Sequence, residues 1–553
     1  MILPSDKKQL IDKALEIKEI CRASASQRAA LARNYNLWIQ TGNDTGTRAL
    51  VNKLYAHNDR LSSHLFSPSE LRFILDFEAF YPPEMLYKGE TAARVLTREW
   101  ERKDIDILFG AGVKISLDYG AAIMKQMWGH SGVDARLLMP WQFGVYREDL
   151  NNIDDQEAVC ESGAMTLHEA WRRISHLPDA AKLYQTILAH ARKETDDESN
   201  NSFFHQVVST STLNTDLENA RQQPGGIVQL SNDPSMALMG PTVTADLVAF
   251  HELYVKDEEK EDYTTILLME PNILISPRFK RENQFAPKTQ PFSLIQANHV
   301  PGYFWGRAEI VDLMQPQGLL AGWMNDVKRV MGLQYDKLLA FSGTDGITDE
   351  MYDNFRAAGY ANLGPGGNVH DLTPELPAAA FTAIELITKQ MEEISGFGNI
   401  LSGQGEPGVR AGVHAETLTK MASPRLRDRS LLVERQCAAA ADKTLDVMEA
   451  KDGRAYHTNP ALGAPAEFLL ADLPEDRRVT VDSHSSSPIF ADDHAQLIFA
   501  GLKAGFIGGD SAIEMLPYPN KDVLLVRQQK MAAAKEKMIA EHPEILTHQR
   551  PKK

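Results

Sequence analysis

RAEIVDLMQPQGLLAGWMNDVKRVMGLQYDKLLAF, residues 307–341, repeats apolar side chains every three or four positions. This spacing predicts one long helix, and Pro316 should kink that helix or mark the start of its main run. A helix of about 25 residues is roughly 37 Å long at 1.5 Å per residue. Because a helix of this length with one apolar stripe needs neighbours along its side, we expect packing between copies of the chain to supply some of them.

The residues that follow interrupt the helical pattern twice. A turn-rich insertion with several glycines and prolines occupies about 343–377, and a second helix is predicted from about Ala378 to Ile394. Residues 396–412, GFGNILSGQGEPGVRAG, hold six glycines and predict a loop that can take several conformations. A third long amphipathic helix is predicted from His414 to Ala450.

The remaining sequence predicts an α+β fold that is mostly α. Helices are predicted at 6–40, 69–80, 97–108, 165–193 and 492–540. Strands are predicted at 120–128, 135–138, 143–146, 467–471 and 477–482, with a long hairpin at 245–276. The hairpin carries the charged tip KDEEKED, which we expect to be solvated, since neighbouring carboxylates on a strand point to opposite faces and cannot share a cation.

The bulk composition describes a soluble multidomain protein with an acidic balance. A length of 553 residues predicts about three or four sub-domains. The net charge is −17, from 58 basic and 75 acidic residues, whereas a tight duplex-DNA binder needs a basic footprint. This charge disfavours a sequence-specific DNA binder but suits a channel, since a channel must release every phosphate it contacts.

The cysteines and the N-terminal residues indicate the compartment. Cys21, Cys160 and Cys437 are far apart and form no CxxC pair, which indicates free structural thiols rather than disulfides or a zinc site. The N-terminal residues lack the apolar core of a signal peptide, and no window approaches about 18 uninterrupted apolar residues. We therefore expect no membrane span and folding in a reducing cytoplasm.

The sequence contains no recognised catalytic motif in a context that would support catalysis. Residues 403–408 formally satisfy GxGxxG, but a helix precedes them, Pro407 removes an amide donor and Glu406 would repel a pyrophosphate. Walker A, GxSxG and HExxH sequences are absent, and the SxxK at Ser5–Lys8 sits at the N-terminus, where a nucleophile could not be held. We expect no catalytic residues, no metal and no cofactor.

Several basic side chains are candidates for contact with DNA or with another copy of the chain. Arg425, Arg427 and Arg429 form a row on the third helix, and intersubunit salt bridges are favoured for them over phosphate contacts. Arg410 in the glycine loop is the more exposed DNA candidate. Further candidates on the two earlier helices are Lys328, Arg329, Lys337 and Lys389, although Asp326 and Asp336 alternate with the first three, as on a solvated face.

Four stretches resemble portal proteins of tailed double-stranded DNA bacteriophages, the head-to-tail connector rings through which the genome passes. They are VPGYFWGRAEIVDLMQPQGLLAGWMNDV (300–327), ISGFGNILSGQGEPGVRAGVHAETLTKMASPRLRD (394–428), LLMPWQFGVYREDLNNIDDQEAVCESGAMTLHEAWRRI (137–174) and LIFAGLKAGFIGGDSAIEMLPYPNKD (497–522). The order of these parts along the chain carries the resemblance more than any single motif.

The resemblance implies a wing–stem–clip–crown architecture in a cyclic ring, typically a dodecamer. The implied parts are a wing at 1–306, a first stem helix at 307–342, a clip at 343–377, a second stem helix at 378–398, a tunnel loop at 399–412, a long wing helix with returning strands at 413–488, a helical crown at 489–545 and a basic tail at 546–553. The clip is short for the family, which leaves the size of its docking surface open.

The resemblance also implies partners and site residues. The ring would sit at the capsid portal vertex of a virion, made in a host bacterial cytoplasm. It would surround double-stranded DNA without sequence specificity, and bind the terminase large subunit, head-completion or tail adaptor proteins, the capsid and a scaffolding protein. The implied tunnel-loop contacts to DNA are Asn399, Ser402, Gln404, Glu406 and Arg410. The implied docking residues of the clip are Asp349, Tyr352, Arg356 and Tyr360.

Two alternatives stay open at this point. Another virion structural or adaptor protein would be expected to lack the stem–clip–stem order. A multidomain α/β enzyme would need a pocket with converging titratable groups, and the sequence shows no such set.

Overall fold

The structure is a computed structural model. It describes residues 4, 6–44, 49–68, 71–129, 131–175, 177–195, 247–257, 262–271, 273–276, 289–335, 339–342, 353, 368–376, 378–395, 424–458, 466–481, 498–506, 508 and 512. Helices contain more of these described residues than strands do, which confirms the coarse prediction of an α+β fold that is mostly α.

Nine helices and fourteen strands are labelled here within these ranges. The helices are α1 (Lys7–Thr41), α2 (Lys53–Leu65), α3 (Pro83–Arg102), α4 (Ile105–Tyr119), α5 (Leu167–Ile174), α6 (Ala180–Thr195), α7 (Ile310–Tyr335), α8 (Ala378–Ser395) and α9 (Pro424–Lys451). The strands are β1 (Phe73–Phe77), β2 (Ala122–Gly129), β3 (Gly132–Leu138), β4 (Phe143–Val145), β5 (Ala158–Thr166), β6 (Leu247–Asp257), β7 (Asp262–Met269), β8 (Ile273–Ser276), β9 (Phe292–Ile295), β10 (Leu339–Ser342), β11 (Asn368–Asp371), β12 (Tyr456–His457), β13 (Glu467–Phe468) and β14 (Arg477–Val481).

The strands pair in antiparallel sheets. The largest has the order β4-β5-β6-β7-β8, and a three-stranded sheet has the order β3-β2-β9. The pairs β1–β14, β10–β11 and β12–β13 form two-stranded ladders. In the β5–β6 ladder Ser162 lies opposite His251 and Glu161 opposite Glu252, so these two pairs lie on opposite faces of the sheet.

The main apolar cluster joins the three-stranded sheet to α3, α4 and α9. Its members include Trp100, Phe109, Ile123, Phe304 and Val433, each at most 1% exposed. Full burial of side chains of this size contributes about 1.5–3 kcal/mol each. The third long helix therefore returns to the body of the molecule and forms part of its core.

The five-stranded sheet is covered on both faces. The first half of α1 packs Ala14 and Ile17 against one face, where Cys160 and Leu253 lie. The helices α5 and α6 pack against the other face. Since both faces are buried, apolar residues occupy consecutive positions in parts of these strands, as in VAF (248–250) of β6 and ILLM (266–269) of β7.

A buried ion cluster joins the two larger sheets. Lys125 of β2 donates to Glu252 Oε2 at 2.7 Å and also to Glu161, and Arg136 of β3 pairs with Glu161. The Lys125 ammonium lies 5.2 Å from the centroid of the Tyr254 ring. Lys125, Glu161 and Glu252 are each at most 1% exposed, so each charge depends on its partners for compensation.

Several sequence predictions are confirmed. The helix predicted at 6–40 is α1, whose N-cap Asp6 accepts a hydrogen bond from Gln9 N at 3.2 Å and whose C-cap Gly42 has φ +75°. The helix predicted from Ala378 is α8. The predicted strands at 120–128, 135–138, 143–146 and 477–482 correspond to β2, β3, β4 and β14, and the hairpin at 245–276 to β6, β7 and β8.

The helix predicted at 69–80 is wrong, because residues 73–77 form β1. Phe73 and Leu75 are buried while Ile74 and Asp76 are exposed, which is the two-residue period of a strand paired with β14. Pro83 does not end a helix but opens α3, where its fixed φ and missing N–H are tolerated.

Other helical predictions differ at their ends or interiors. The helix predicted at 97–108 breaks at Lys103–Asp104, where Asp104 has φ +51° and separates α3 from α4. The two helical pieces predicted within 165–193, MTLHEAWRRI and DAAKLYQTILAHARK, are confirmed as α5 and α6, except that residues 165 and 166 belong to β5. The first long helix ends at Tyr335, and residues 339–342 are the strand β10. Of the predicted strand at 467–471, only Glu467–Phe468 is extended, and Leu470–Asp472 form a 3₁₀ turn.

Candidate functional site

Two helices and a short ladder form the feature on which the candidate function depends. We call α7, β10, β11 and α8 the stem hairpin. β10 and β11 pair in register from Leu339 opposite Asp371 to Ser342 opposite Asn368, beyond the C-terminus of α7 and before the N-terminus of α8. The 26 residues of α7 correspond to about 39 Å and the 18 of α8 to about 27 Å.

An apolar cluster holds α7 and α8 together and to the body. Leu313 and Leu320 of α7 pack with Ile387 and Met391 of α8, and Trp38 of α1 belongs to the same cluster. The approach of α1 is close at Gly318, since a Cβ there would lie 3.1 Å from the Trp38 ring. The first half of α7 and the second half of α8 are therefore packed against α1.

Gln317 fixes the same region through hydrogen bonds. The side chain is fully buried, and its Nε2 donates to Val51 O at 2.7 Å and to Gly42 O at 3.3 Å. Its Oε1 accepts from Lys53 N at 3.1 Å, so one amide satisfies three backbone groups between α1 and α2. A buried amide with these partners specifies the position of α7 relative to the body.

The residues before α7 are anchored in the core. Phe304 and Trp305 are fully buried, and Trp305 Nε1 donates to Glu148 Oε1 at 2.8 Å. Gly306 has φ +64°, and a Cβ there would lie 2.6 Å from Asn298 O. The stretch VPGYFWG thus acts as an anchor for the start of the hairpin, with glycine required at the turn.

Glu309, the residue before α7, is the centre of a buried polar junction. Its carboxylate accepts from Asn298 Nδ2 at 2.9 Å and pairs with Arg429 of α9 at 3.0 Å, and His57 Nε2 lies 3.7 Å away. Its backbone N–H donates to Leu117 O at 2.8 Å. Burial alone would raise the pKa of Glu309, but His57, Arg429 and Asn298 outweigh it and lower that pKa to about 2. The carboxylate is therefore charged at neutral pH and ties together α2, α7 and α9.

Large apolar side chains remain exposed on the stem hairpin. Leu319 is 53% and Trp323 40% exposed, and because they are four positions apart they share one side of α7. On α8, Phe381 is 51% and Leu386 56% exposed, and five positions separate them by about 140° around the helix. Met331 and Ile394 are also exposed. Apolar surface thus emerges on more than one side of the hairpin, which is the pattern of an element with a neighbour on each flank.

The structure separates the predicted basic candidates. Lys328, Arg329 and Lys389 are exposed on the stem hairpin, and Arg329 lies 3.4 Å from Asp326, as expected for a solvated face. Arg427 is exposed on α9. Arg429 differs from these residues, because it is 8% exposed in the single chain and pairs with Glu309 of the same chain, which disfavours the channel or intersubunit role expected from the sequence. Its position four residues before buried Val433 places both side chains on the same face of α9, toward the body.

Other predicted site residues lie outside the part of the chain that the structure describes. These are Lys337, the clip residues Asp349, Tyr352, Arg356 and Tyr360, and the tunnel-loop residues Asn399, Ser402, Gln404, Glu406 and Arg410. For Arg425, only its place in the first turn of α9 is described.

A serine, a histidine and a glutamate that sequence reasoning missed come together under α1. Ser162 Oγ lies 2.8 Å from His251 Nδ1, and His251 Nε2 lies 3.2 Å from Glu270 Oε1. Lys18 of α1 donates to the same Glu270 oxygen at 2.7 Å. The residues are far apart in sequence, and only the β5–β6 register brings Ser162 and His251 together, so no local motif could have shown them.

This arrangement has the order of a hydrolase triad but not its accessibility. Ser162 is 4% exposed and His251 fully buried. Burial lowers the pKa of His251, and although burial would raise the pKa of Glu270, hydrogen bonds from His251 and Lys18 lower it to about 2. A nucleophile must reach the reacting carbonyl, and this hydroxyl lies beneath α1. These three residues and Lys18 therefore hold α1 on the sheet through a chain of hydrogen bonds between buried polar groups.

The described ranges contain no group of three or more His, Cys, Asp or Glu residues arranged to hold a metal ion. Within the same part of the chain, no helix is long and apolar enough to cross a membrane. The three cysteines are buried and unbridged, as the sequence predicted.

Comparison of the chain with protein-family models finds no match. A search of curated proteins finds no match either.

Proposed function

We propose that this chain is the portal protein of a tailed double-stranded DNA bacteriophage, a ring subunit through which the genome is packaged and ejected. The single observation that carries the proposal is the stem hairpin. Its two helices pack against α1 near the start of α7 and the end of α8, and its exposed apolar side chains lie on more than one side of the hairpin. A hairpin with two apolar flanks needs a neighbour on each flank. In a closed ring of identical subunits every hairpin has two such neighbours.

The order of elements along the chain supports the proposal. A body of helices and sheets precedes α7, a ladder lies between α7 and α8, and α9 returns to the core of the body. The resemblance assigns these parts to wing, stem, clip, stem and wing in the same order. A conduit requires no bond chemistry of its own, so the energy for DNA translocation would come from the terminase motor.

Within this proposal the ring, typically of twelve subunits, sits at the capsid portal vertex. Duplex DNA passes through its centre, and the clip docks the terminase large subunit and later the head-completion or tail proteins. The segment 399–412 would surround the DNA, with Arg410 as the basic contact.

The deciding experiment is electron microscopy of the purified full chain, with class averages viewed end-on and the subunit number measured by native mass spectrometry. Rings with a central hole wide enough for duplex DNA are the expected result. A protein that stays monomeric at all concentrations and salt conditions would refute the proposal.

A second experiment addresses the DNA channel. Shortening 403–409 is expected to impair DNA packaging or retention while rings still assemble, because the loop would contact DNA rather than a neighbouring subunit. Loss of assembly in this variant would instead make the loop part of a subunit interface.

A further inference from the structure

The turn between β1 and α3 presents one phenylalanine entirely to solvent. Phe80 is 108% exposed, the largest exposed fraction among the large apolar side chains that the structure describes. Pro82 and Pro83 follow it, and Leu86 in the first turns of α3 is 48% exposed. Scattered exposed apolar residues are ordinary, but a fully projecting aromatic side chain beside further apolar ones marks a contact surface.

The turn that carries Phe80 is held rigidly. Asp476 Oδ2 accepts from Ala79 N at 3.0 Å, and its Oδ1 accepts from the Tyr81 hydroxyl at 2.8 Å. The Phe77 and Tyr81 rings pack edge to face with centroids 5.5 Å apart. One carboxylate thus clamps both neighbours of Phe80, so little conformational entropy is left to lose when the side chain is buried by a partner.

The surroundings of Phe80 are acidic. Glu78 and Glu84 are exposed on either side of it along the chain, and Glu475 is exposed next to the clamping Asp476. We call Glu78, Phe80, Glu84 and Glu475 the acidic tip. A complementary surface on a partner would carry aromatic side chains that pack against Phe80 and a basic group at its rim that pairs with the glutamates.

A surface of this kind lies on α5, which belongs to a different apolar cluster. Ala170 and Ile174 point into the core, whereas His168, Trp171 and Arg172 are exposed. Trp171 is 39% exposed and packs edge to face on Tyr184 of α6 at 5.2 Å between centroids. Tryptophan, tyrosine and arginine are the residues most enriched at the centres of protein interfaces.

We propose that the acidic tip of one copy of this chain docks on the Trp171–Arg172 surface of the next copy. Phe80 packs against the Trp171 ring, and Arg172 pairs with Glu84 of the neighbour. Two different surfaces on each copy make a head-to-tail interface, which closes into a ring when the rotation between copies allows it. The inference rests on the proposed function for the ring, and it names the contact that joins the bodies outside the stem hairpin.

Assembly of full-length variants, measured by mass photometry over a concentration series, tests this contact. Phe80→Ala and Glu84→Arg should each raise the concentration at which the oligomer dissociates by about 30-fold, the size of an interface hot spot. The double variant Glu84→Arg/Arg172→Glu restores the charge pair and should recover at least about tenfold of that loss. Ile107→Ala, at an exposed position on α4, is the matched control and should assemble as the wild type does. Thermal unfolding of the dissociated chain should be unchanged in Phe80→Ala, because the side chain has no intramolecular burial to lose.

The outcomes separate this contact from the ring itself. Wild-type rings that are insensitive to Phe80→Ala overturn the contact and leave the portal proposal standing. The wild type could instead form open chains or small oligomers. If Phe80→Ala dissociates these assemblies and the charge swap restores assembly lost in Glu84→Arg, the contact is supported and the ring is overturned. Weakening without rescue overturns the pairing with Arg172, and a monomeric wild type overturns both proposals.

Discussion

Replacing Trp323 of the stem hairpin by alanine should weaken assembly. A tryptophan offers up to about 250 Å² of surface. With 40% of Trp323 exposed in the single chain, roughly 100 Å² remains for a neighbouring subunit to cover. At about 25 cal/mol per Å² this burial is worth about 2.5 kcal/mol, or about 60-fold in the dissociation constant of one interface.

The assay is sedimentation velocity of wild-type and variant protein across a concentration series, with urea unfolding of the dissociated chain measured in parallel. Because Trp323 is also partly buried within its own chain, Leu319→Glu provides a second perturbation at a position that is 53% exposed. It places a charge on the same side of α7 and should prevent close packing with little effect on the fold of the chain. Ile107→Ala serves as the control. If both stem variants assemble at wild-type concentrations while the chain remains folded, the exposed stripe is not an interface and the reasoning fails.

Three further predictions concern the stability of the chain. Lys125→Met removes the buried cation that pairs with both Glu161 and Glu252 and should lower the free energy of unfolding by about 3–5 kcal/mol, measured by urea denaturation at neutral pH. Because the pKa of Glu309 is lowered to about 2, its stabilising contribution is fully present above its ordinary pKa of 4.5 and is lost as the pH falls toward 2. Glu309→Gln should therefore be less stable than the wild type at pH 7, with a difference that shrinks on acidification, and a difference independent of pH would contradict this account. Burial raises the pKa of Asp118 to about 6, so the folded wild type should lose about 2 kcal/mol of stability as the pH rises from 4 to 6. Asp118→Asn should abolish this loss in denaturation series across that range, and a wild type equally stable at pH 4 and pH 6 would count against it.

The sequence predicted helices and strands best where one periodic pattern ran without competition. α1 has a capping aspartate before it and a glycine after it, and α8 follows a proline-rich insertion, so local chemistry marked their limits. The sequence does not identify the strand at residues 73–77, because FILDF is too short to distinguish a two-residue period from a helical one. The decisive factor there was the pairing partner β14, about 400 positions later in the chain.

The candidate site divides in the same way. The exposed charges Lys328 and Arg329 alternate with aspartates, and a solvated face was evident from that pattern alone. Arg429 belongs to a basic row with Arg425 and Arg427, and nothing local distinguishes it from them. Its burial against Glu309 depends on how α9 returns to the start of α7, which the sequence does not display.

The amino-acid sequence by itself determined the order of elements in the central segment, which is helix, insertion, helix, glycine loop and helix. It also determined the acidic net charge of the chain. Helical periodicity and glycine content are local properties, so they can be read without knowing any distant contact. The tertiary structure alone decided which side chains converge, as for Ser162 with His251 and Glu309 with Arg429. Such contacts depend on strand register and on the angle at which helices pack, and these are set by burial of apolar surface across the whole body rather than by neighbouring residues.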